Sequence, residues 1–181
     1  MKVTKLLGYQ VLDSRGRPTV AASITLEDGT THTARVPSGA STGKHEALEL
    51  RDGDQLAHNN FYGALSVTKA VENVNTRIAP LIVGQQVDLK FIDGEIRTID
   101  TTSNFSSLGA NATLAVSLAA AKASAHAHNV SLARYFQPQG NLLIPMPMVN
   151  ILSGGAHANR SLDFQDVLIV PRGASTFTEA L

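Results

Sequence analysis

The sequence predicts an α+β fold in which a three-stranded antiparallel sheet is packed with helices and a second strand pair follows. Three observations predict it. Val3 to Leu12, Thr19 to Leu26 and Thr31 to Val36 read as strands separated by turn chemistry. Helical periodicity and helix-forming composition then dominate from Phe61 to Ala127. After Gly140 the chain returns to short apolar runs bounded by glycine and proline.

Each element has a local reason. Asp13 to Pro18 is a turn punctuated by Gly16 and Pro18, and Asp28–Gly29 is a strong hairpin signal, so the three strands form a meander. From Phe61 to Ile78, Leu65, Val67, Ala70, Val71, Val74 and Ile78 mark one helical stripe, and Pro80 is expected to end it. A shorter helix is expected over Phe91–Ile99. Gly109 to Ala127 is a strong helix former whose alanines and serines make a slim rod. His126 and His128 fall at its C-terminal end, where a cation is favoured by the dipole; this capping role outweighs metal binding, since no acid is near in sequence. Prolines at 145 and 147 restrict the next strand to Met148–Leu152, and Phe164–Val170 forms its partner after a turn through Gly154 and His157. Thr176 and Glu179 have the spacing of a capping box, and the helix it opens reads as cut short at Leu181.

Bulk properties narrow the function. With 181 residues, the chain holds one full domain or one domain and part of another. Fifteen basic and fifteen acidic residues balance, so no global field draws in nucleic acid or an anionic membrane. Zero cysteines exclude disulfides and thiolate chemistry. No run reaches the length of a membrane span, and the first ten residues lack a signal-peptide core. A cytoplasmic protein is expected.

The most informative stretch is the loop from Val36 to Asp52. Gly39 and Gly43 let the backbone bend, while Ser38, Ser41 and Thr42 supply hydroxyls around those bends. This composition suits a binding loop, with a solvated linker as the plain alternative. A phosphate-cradling reading of Gly39–Lys44 fails. That motif needs four residues between its glycines and a hydroxyl residue after the lysine. Here three residues intervene and His45 follows.

With these residues laid out, the chain resembles enolase, the phosphopyruvate hydratase of glycolysis. The matching blocks are Val11–Gly16 with Pro18–Val20, Leu26–Thr30, Val36–Gly43 with His45–Glu49, Lys69–Asn75, Leu108–Ala112, Gly154–His157 and Gln165. The resemblance implies an enolase N-terminal-like domain over residues 1–137. Residues 138–181 would be the opening strand pair of an α/β barrel of TIM type, incomplete here, with catalytic groups at the C-terminal ends of its strands.

It also implies a reaction, the reversible dehydration of 2-phosphoglycerate to phosphoenolpyruvate. In the family a lysine base takes the carbon-bound proton while two Mg²⁺ ions stabilise the carboxylate intermediate, an arrangement for which enolase-superfamily sites are a standard example. By resemblance Ser41 donates oxygen to Mg²⁺ within a lid loop that includes Ser38, Gly39, Ala40, Thr42, Gly43 and His45, with Glu46 and Arg51 in support. His157 matches a residue at the substrate phosphate, and Gln165 the glutamine beside the acid. Asp166 stands where the family has its acid glutamate. Being one methylene shorter, it sets the carboxyl back by about 1 Å, which can cost on the order of 100-fold in rate.

Other departures are Ser153 for an asparagine, Thr101 for a glycine that the turn would suit, Arg17 for an asparagine, and Ala21 for an acid in the family's homodimer contact. The family's base and primary metal ligands are expected beyond Leu181, so the 181 residues alone are expected to be inactive. The alternative reading is a truncated, drifted enolase-like protein without catalysis, a binding module for full-length enolase.

Overall fold

The computed structural model describes residues 1–39, 42–53, 61–158 and 162–181. Its chain forms two compact units, Met1–Ser38 with Gly43–Pro138, and Gly39–Thr42 with Gln139–Leu181.

In the first unit β1 (Val3–Leu12), β2 (Pro18–Leu26) and β3 (Thr31–Arg35) form an antiparallel meander in the order β1-β2-β3. Register runs from Leu12 opposite Pro18 back to Val3 opposite Leu26, and Ala21 lies opposite Arg35. The sheet turns Val3, Leu6, Val20, Ala22, Ile24, Leu26 and Ala34 inward. Against β2 and β3 lies α4 (Ala110–Ala127). Its Ala112, Ala115, Val116, Ala119, Ala120 and Ala123 are fully buried, and α3 (Leu89–Ile99) packs on another side. A helix apolar on most of its circumference is a core helix, and small side chains let its neighbours come close.

The remaining helices differ from the periodicity reading. Residues 61–64 form a short 3-10 turn, with Tyr62 at φ 59° and Ala64 at φ 66°, so the predicted start at Phe61 gives way to α1 (Thr68–Asn73). A π-helical turn, Val74–Ile78, then leads into α2 (Ala79–Ile82), so Pro80 does not end the helix. Proline has no N–H to lose from the ladder and is tolerated in a first turn. The π-helical turn opens a new first turn for it: the Ala79 N–H bonds back to the Val74 carbonyl, and Pro80 falls at the start of α2. The helix expected from Phe91 starts at Leu89, with Asp88 accepting from the Phe91 N–H at 2.7 Å. A short α5 (Leu132–Phe136), capped by Ser131, went unforeseen.

Thr101 proves harmless. The turn after α3 is tied by the buried Asp100 carboxylate, which accepts from the Thr102 N–H at 3.1 Å, the Thr102 hydroxyl at 2.5 Å and the Leu108 N–H at 2.7 Å. The left-handed residue in this turn is Phe105, at φ 55°, so the position held by Thr101 has no need of glycine.

β1 meets the π-helical turn at Gly8. The Asn75 side chain accepts from the Gly8 N–H at 2.8 Å and donates to the Gly8 carbonyl at 3.0 Å, satisfying an edge strand that would otherwise stay open. A Cβ on Gly8 would lie 2.7 Å from Val74 Cβ.

In the second unit β4 (Val149–Ser153) and β5 (Asp166–Ile169) pair antiparallel, and every residue of both strands is exposed. In α6 (Phe177–Ala180) Thr176 caps the Glu179 N–H at 3.1 Å, as its spacing predicts. Glu179 reaches back one residue further than a capping box requires, to the Ser175 N–H at 2.7 Å.

Two substitutions test this packing in opposite directions. Gly8→Ala is expected to lower stability by about 1–3 kcal/mol through overpacking against Val74. Ser124→Ala is expected to be neutral or stabilising by about 1 kcal/mol, because the buried Ser124 hydroxyl has no hydrogen-bond partner among the described residues. Urea unfolding of the wild type and both variants gives the comparison.

Candidate functional site

The loop from Val36 to Asp52 is built from its two feet. At the first foot the Val36 N–H bonds to the Val20 carbonyl at 2.9 Å, and the Thr19 hydroxyl donates to the Val36 carbonyl at 2.6 Å. Arg15, held by Asp13, donates to the Ser38 carbonyl at 2.6 Å. At the second foot the Leu48 N–H bonds to Asn104, the Ala110 N–H returns to Leu48, and the Asn111 amide bonds Leu50 in both directions at 3.1 and 2.9 Å. Gly109, at φ 94°, permits this approach: a Cβ there would stand 2.5 Å from Leu50 Cβ.

Arg51 joins the feet. One guanidinium nitrogen donates to the Pro18 carbonyl at 3.1 Å and to the Leu65 carbonyl. The other donates to the Ser38 hydroxyl at 2.9 Å and to Glu49 at 2.7 Å. A planar fork can serve four such acceptors in one geometry, and a lysine ammonium cannot. The next residue does the converse. The Asp52 carboxylate is 3 % exposed and accepts from the Thr68 N–H, the Thr68 hydroxyl and the Lys69 N–H at 2.9, 2.6 and 3.0 Å, closing the N-terminus of α1. Burial alone would raise this carboxyl, but the Lys69 and Thr68 bonds outweigh it and hold it below the usual carboxylate range.

Between the feet, Gly39, Thr42, Gly43 and His45 are exposed, whereas Ser38 is half-buried at its arginine clamp. The Glu46 N–H closes a turn on the Gly43 carbonyl at 3.2 Å. Ala40 and Ser41 lie outside the described residues.

In the second unit two glycines set the geometry. Gly154 is buried and its N–H donates to the Gln165 carbonyl at 2.7 Å, while a Cβ there would meet the Phe164 carbonyl oxygen at 2.1 Å. Gly155, at φ 56°, bonds to the Leu162 carbonyl at 3.0 Å. Gly154 and Gly155 therefore bind the backbone of 162–165 to the end of β4. His157 is in the 3-10 turn Gly155–Ala158; its side chain lies outside what is described.

Asp166 opens β5 directly opposite Ser153. Its Oδ1 accepts from Asn150 Nδ2 at 2.9 Å and from the Ser153 hydroxyl at 3.4 Å, and the Asn150 amide also donates to Ser153 Oγ at 2.7 Å. The two positions that depart from the resemblance, 153 and 166, thus touch. Asn150, which sequence reasoning passed over, holds both, and only the register of the hairpin reveals it. Arg15 and Asp52 were missed for the same reason, because their partners are 23 and 16 residues away.

At the end of α4, His128 Nδ1 lies 2.7 Å from the Ser124 carbonyl, the expected capping contact. His126 does otherwise: the fold brings Asp28 to 2.9 Å from its Nε2, although no acid is near in sequence. Among the described residues no group of three or more His, Asp or Glu side chains could hold a metal ion. No helix there is long and apolar enough to cross a membrane.

Comparison with known families gives two matches in series. Residues 3–136 match the model described as enolase, N-terminal domain. Residues 141–181 match the model described as enolase, C-terminal TIM barrel domain.

Arg51→Lys is expected to raise the rate of proteolytic cleavage within residues 39–47 by about tenfold while lowering global stability by only about 1–2 kcal/mol, since the fork is lost but the charge is kept. Limited proteolysis with mass mapping, beside a denaturant titration, reads both.

Proposed function

The chain belongs to the enolase family, and on that premise we propose that its residues serve the reversible dehydration of 2-phosphoglycerate to phosphoenolpyruvate. The observation that carries this reading is the succession of the two family matches over residues 3–136 and 141–181. We divide the chain accordingly into an N-terminal domain, 1–137, and the beginning of a barrel domain, 138–181. Family membership also supports a cytoplasmic homodimer, in which Ala21 leaves out an acidic contact.

The roles follow the chemistry of the side chains. Asp166 is the acid that gives a proton to the departing hydroxyl, and Gln165 orients substrate beside it. Asn150 and Ser153 both donate to Asp166 Oδ1 and fix the carboxyl plane, so the proton for transfer belongs on the other oxygen. His157 meets the substrate phosphate. Ser38, Gly39, Ala40, Thr42, Gly43 and His45 belong to the lid, whose Ser41 offers an oxygen to Mg²⁺, a hard cation that prefers such donors. Among the described residues no group of three or more His, Asp or Glu side chains is assembled around a metal position.

On this reading the family's lysine base and metal carboxylates are not supplied by residues 1–181. Members of a catalytic unit do not act in part when the others are missing. The 181-residue chain incubated with 2-phosphoglycerate and Mg²⁺ is therefore expected to give no rise in the ultraviolet absorbance of the enol product. A sustained rise would refute the expected inactivity of the 181 residues on their own.

A second reading is favoured by one observation: Val149, Ile151, Leu152, Val167, Leu168 and Ile169 are all at least 37 % exposed. Open strands of this kind are normally covered. In this reading the chain is a non-catalytic module that pairs with full-length enolase, and co-sedimentation of the two purified proteins separates it from the first.

A further inference from the structure

The tip of the β2–β3 hairpin and the C-terminal end of α4 meet in a cluster of titratable groups that the proposed function does not use. Asp28 sits in the hairpin turn, where its Oδ1 accepts from the Thr30 N–H at 2.9 Å and the Thr30 hydroxyl at 2.6 Å. Its Oδ2 faces His126 Nε2 at 2.9 Å, across 98 residues of sequence. The His126 ring lies 4.8 Å from the His32 ring on β3, and His32 Nε2 is 3.4 Å from the Thr30 hydroxyl. One turn earlier on α4, Lys122 donates to the Thr33 carbonyl of β3 at 2.8 Å. His128 points elsewhere, towards the Ser124 carbonyl and the Tyr135 ring of α5.

The charge count of this cluster is decisive. Asp28 is the acid in contact with it, against Lys122, His126 and His32. A proton on His126 lies against the Asp28 carboxylate and strengthens the contact. A second proton, on His32, lies against His126 and Lys122 with no further acid to meet it.

We propose that Asp28, His126 and His32 form an acid-released latch between the β2–β3 turn and the end of α4, closed with at most one imidazole charged and opened when both are.

The electrostatics agree in sign. Burial, then the charges of His126 and Lys122, hold His32 below its usual 6.5 against the pull of Asp28. The unfolded chain therefore takes up this proton more readily than the folded one, and stability falls as pH drops below about 6.5. Asp28 is held well below the ordinary carboxylate range, first by the Thr30 hydroxyl and then by His126, so it stays ionised throughout that window. Its own contribution disappears only at far lower pH. His32 is thus the group whose uptake of a proton the fold opposes.

Native-state hydrogen exchange on the full chain tests the latch, with protection factors measured at pH 7.5 and 5.5 for peptides covering 27–34 and 122–130. At one pH unit below 6.5, a proton refused by the folded state is worth at most about tenfold in opening. The wild type is expected to lose about tenfold in protection in these two segments on acidification, while β1 keeps its own. His32→Gln is expected to abolish that loss, and His126→Gln to leave both segments less protected already at pH 7.5. An equal acid response in wild type and His32→Gln, or a loss spread evenly over the whole unit, would overturn the proposal.

Discussion

The guanidinium of Arg51 is the interaction on which the candidate site depends. The described residues from Val36 to Asp52 form neither helix nor strand, so their polar groups need partners from elsewhere. Arg51 supplies donors to the start of β2, to the approach to α1, to Ser38 and to Glu49 from one rigid plane. Asp52 supplies acceptors to the first N–H groups of α1. A cation and an anion, adjacent in sequence, thus answer opposite shortages: carbonyls without donors on one side, N–H groups without acceptors on the other. With the feet held in this way, the conformational entropy of ordering the loop is confined to its middle, where the glycines lie.

Local chemistry made much of the fold legible. Asp28–Gly29 fixed one hairpin, and the alanine-rich run from Gly109 marked the helix that became the centre of the core. Where the sequence misled, a hydrogen-bond partner decided. Pro80 reads as a stop, but the π-helical turn before it supplies a new first turn in which it fits. Phe61 reads as a helix start, but the first N–H groups that find an acceptor belong to Thr68 and Lys69, because Asp52 stands there. His126 reads as a helix cap, yet an acid from the hairpin turn claims it. The acids that decide at Thr68 and His126 stand 16 and 98 residues away in sequence.

The second unit shows the same division. Gly154 and Gly155 are conspicuous in the sequence, and their purpose is steric: one leaves no room for a Cβ, the other has a positive φ. What the sequence shows as separate departures from the family, Ser153 and Asp166, the register shows as cross-strand neighbours sharing Asn150. The shorter acid therefore comes with its own set of donors. Thr101, by contrast, needs no compensation, because the turn it occupies places its left-handed residue at Phe105.

The loop is anchored at both feet within the first unit, while Lys44 and His45 between them are exposed. Residue-resolved amide exchange of the 181-residue chain at neutral pH measures this directly. Slow exchange is expected at Val36, Leu48, Leu50 and Asp52, whose N–H groups all have partners, and rapid exchange at Lys44 and His45. Exchange equally rapid from Val36 to Asp52 would contradict this anchoring.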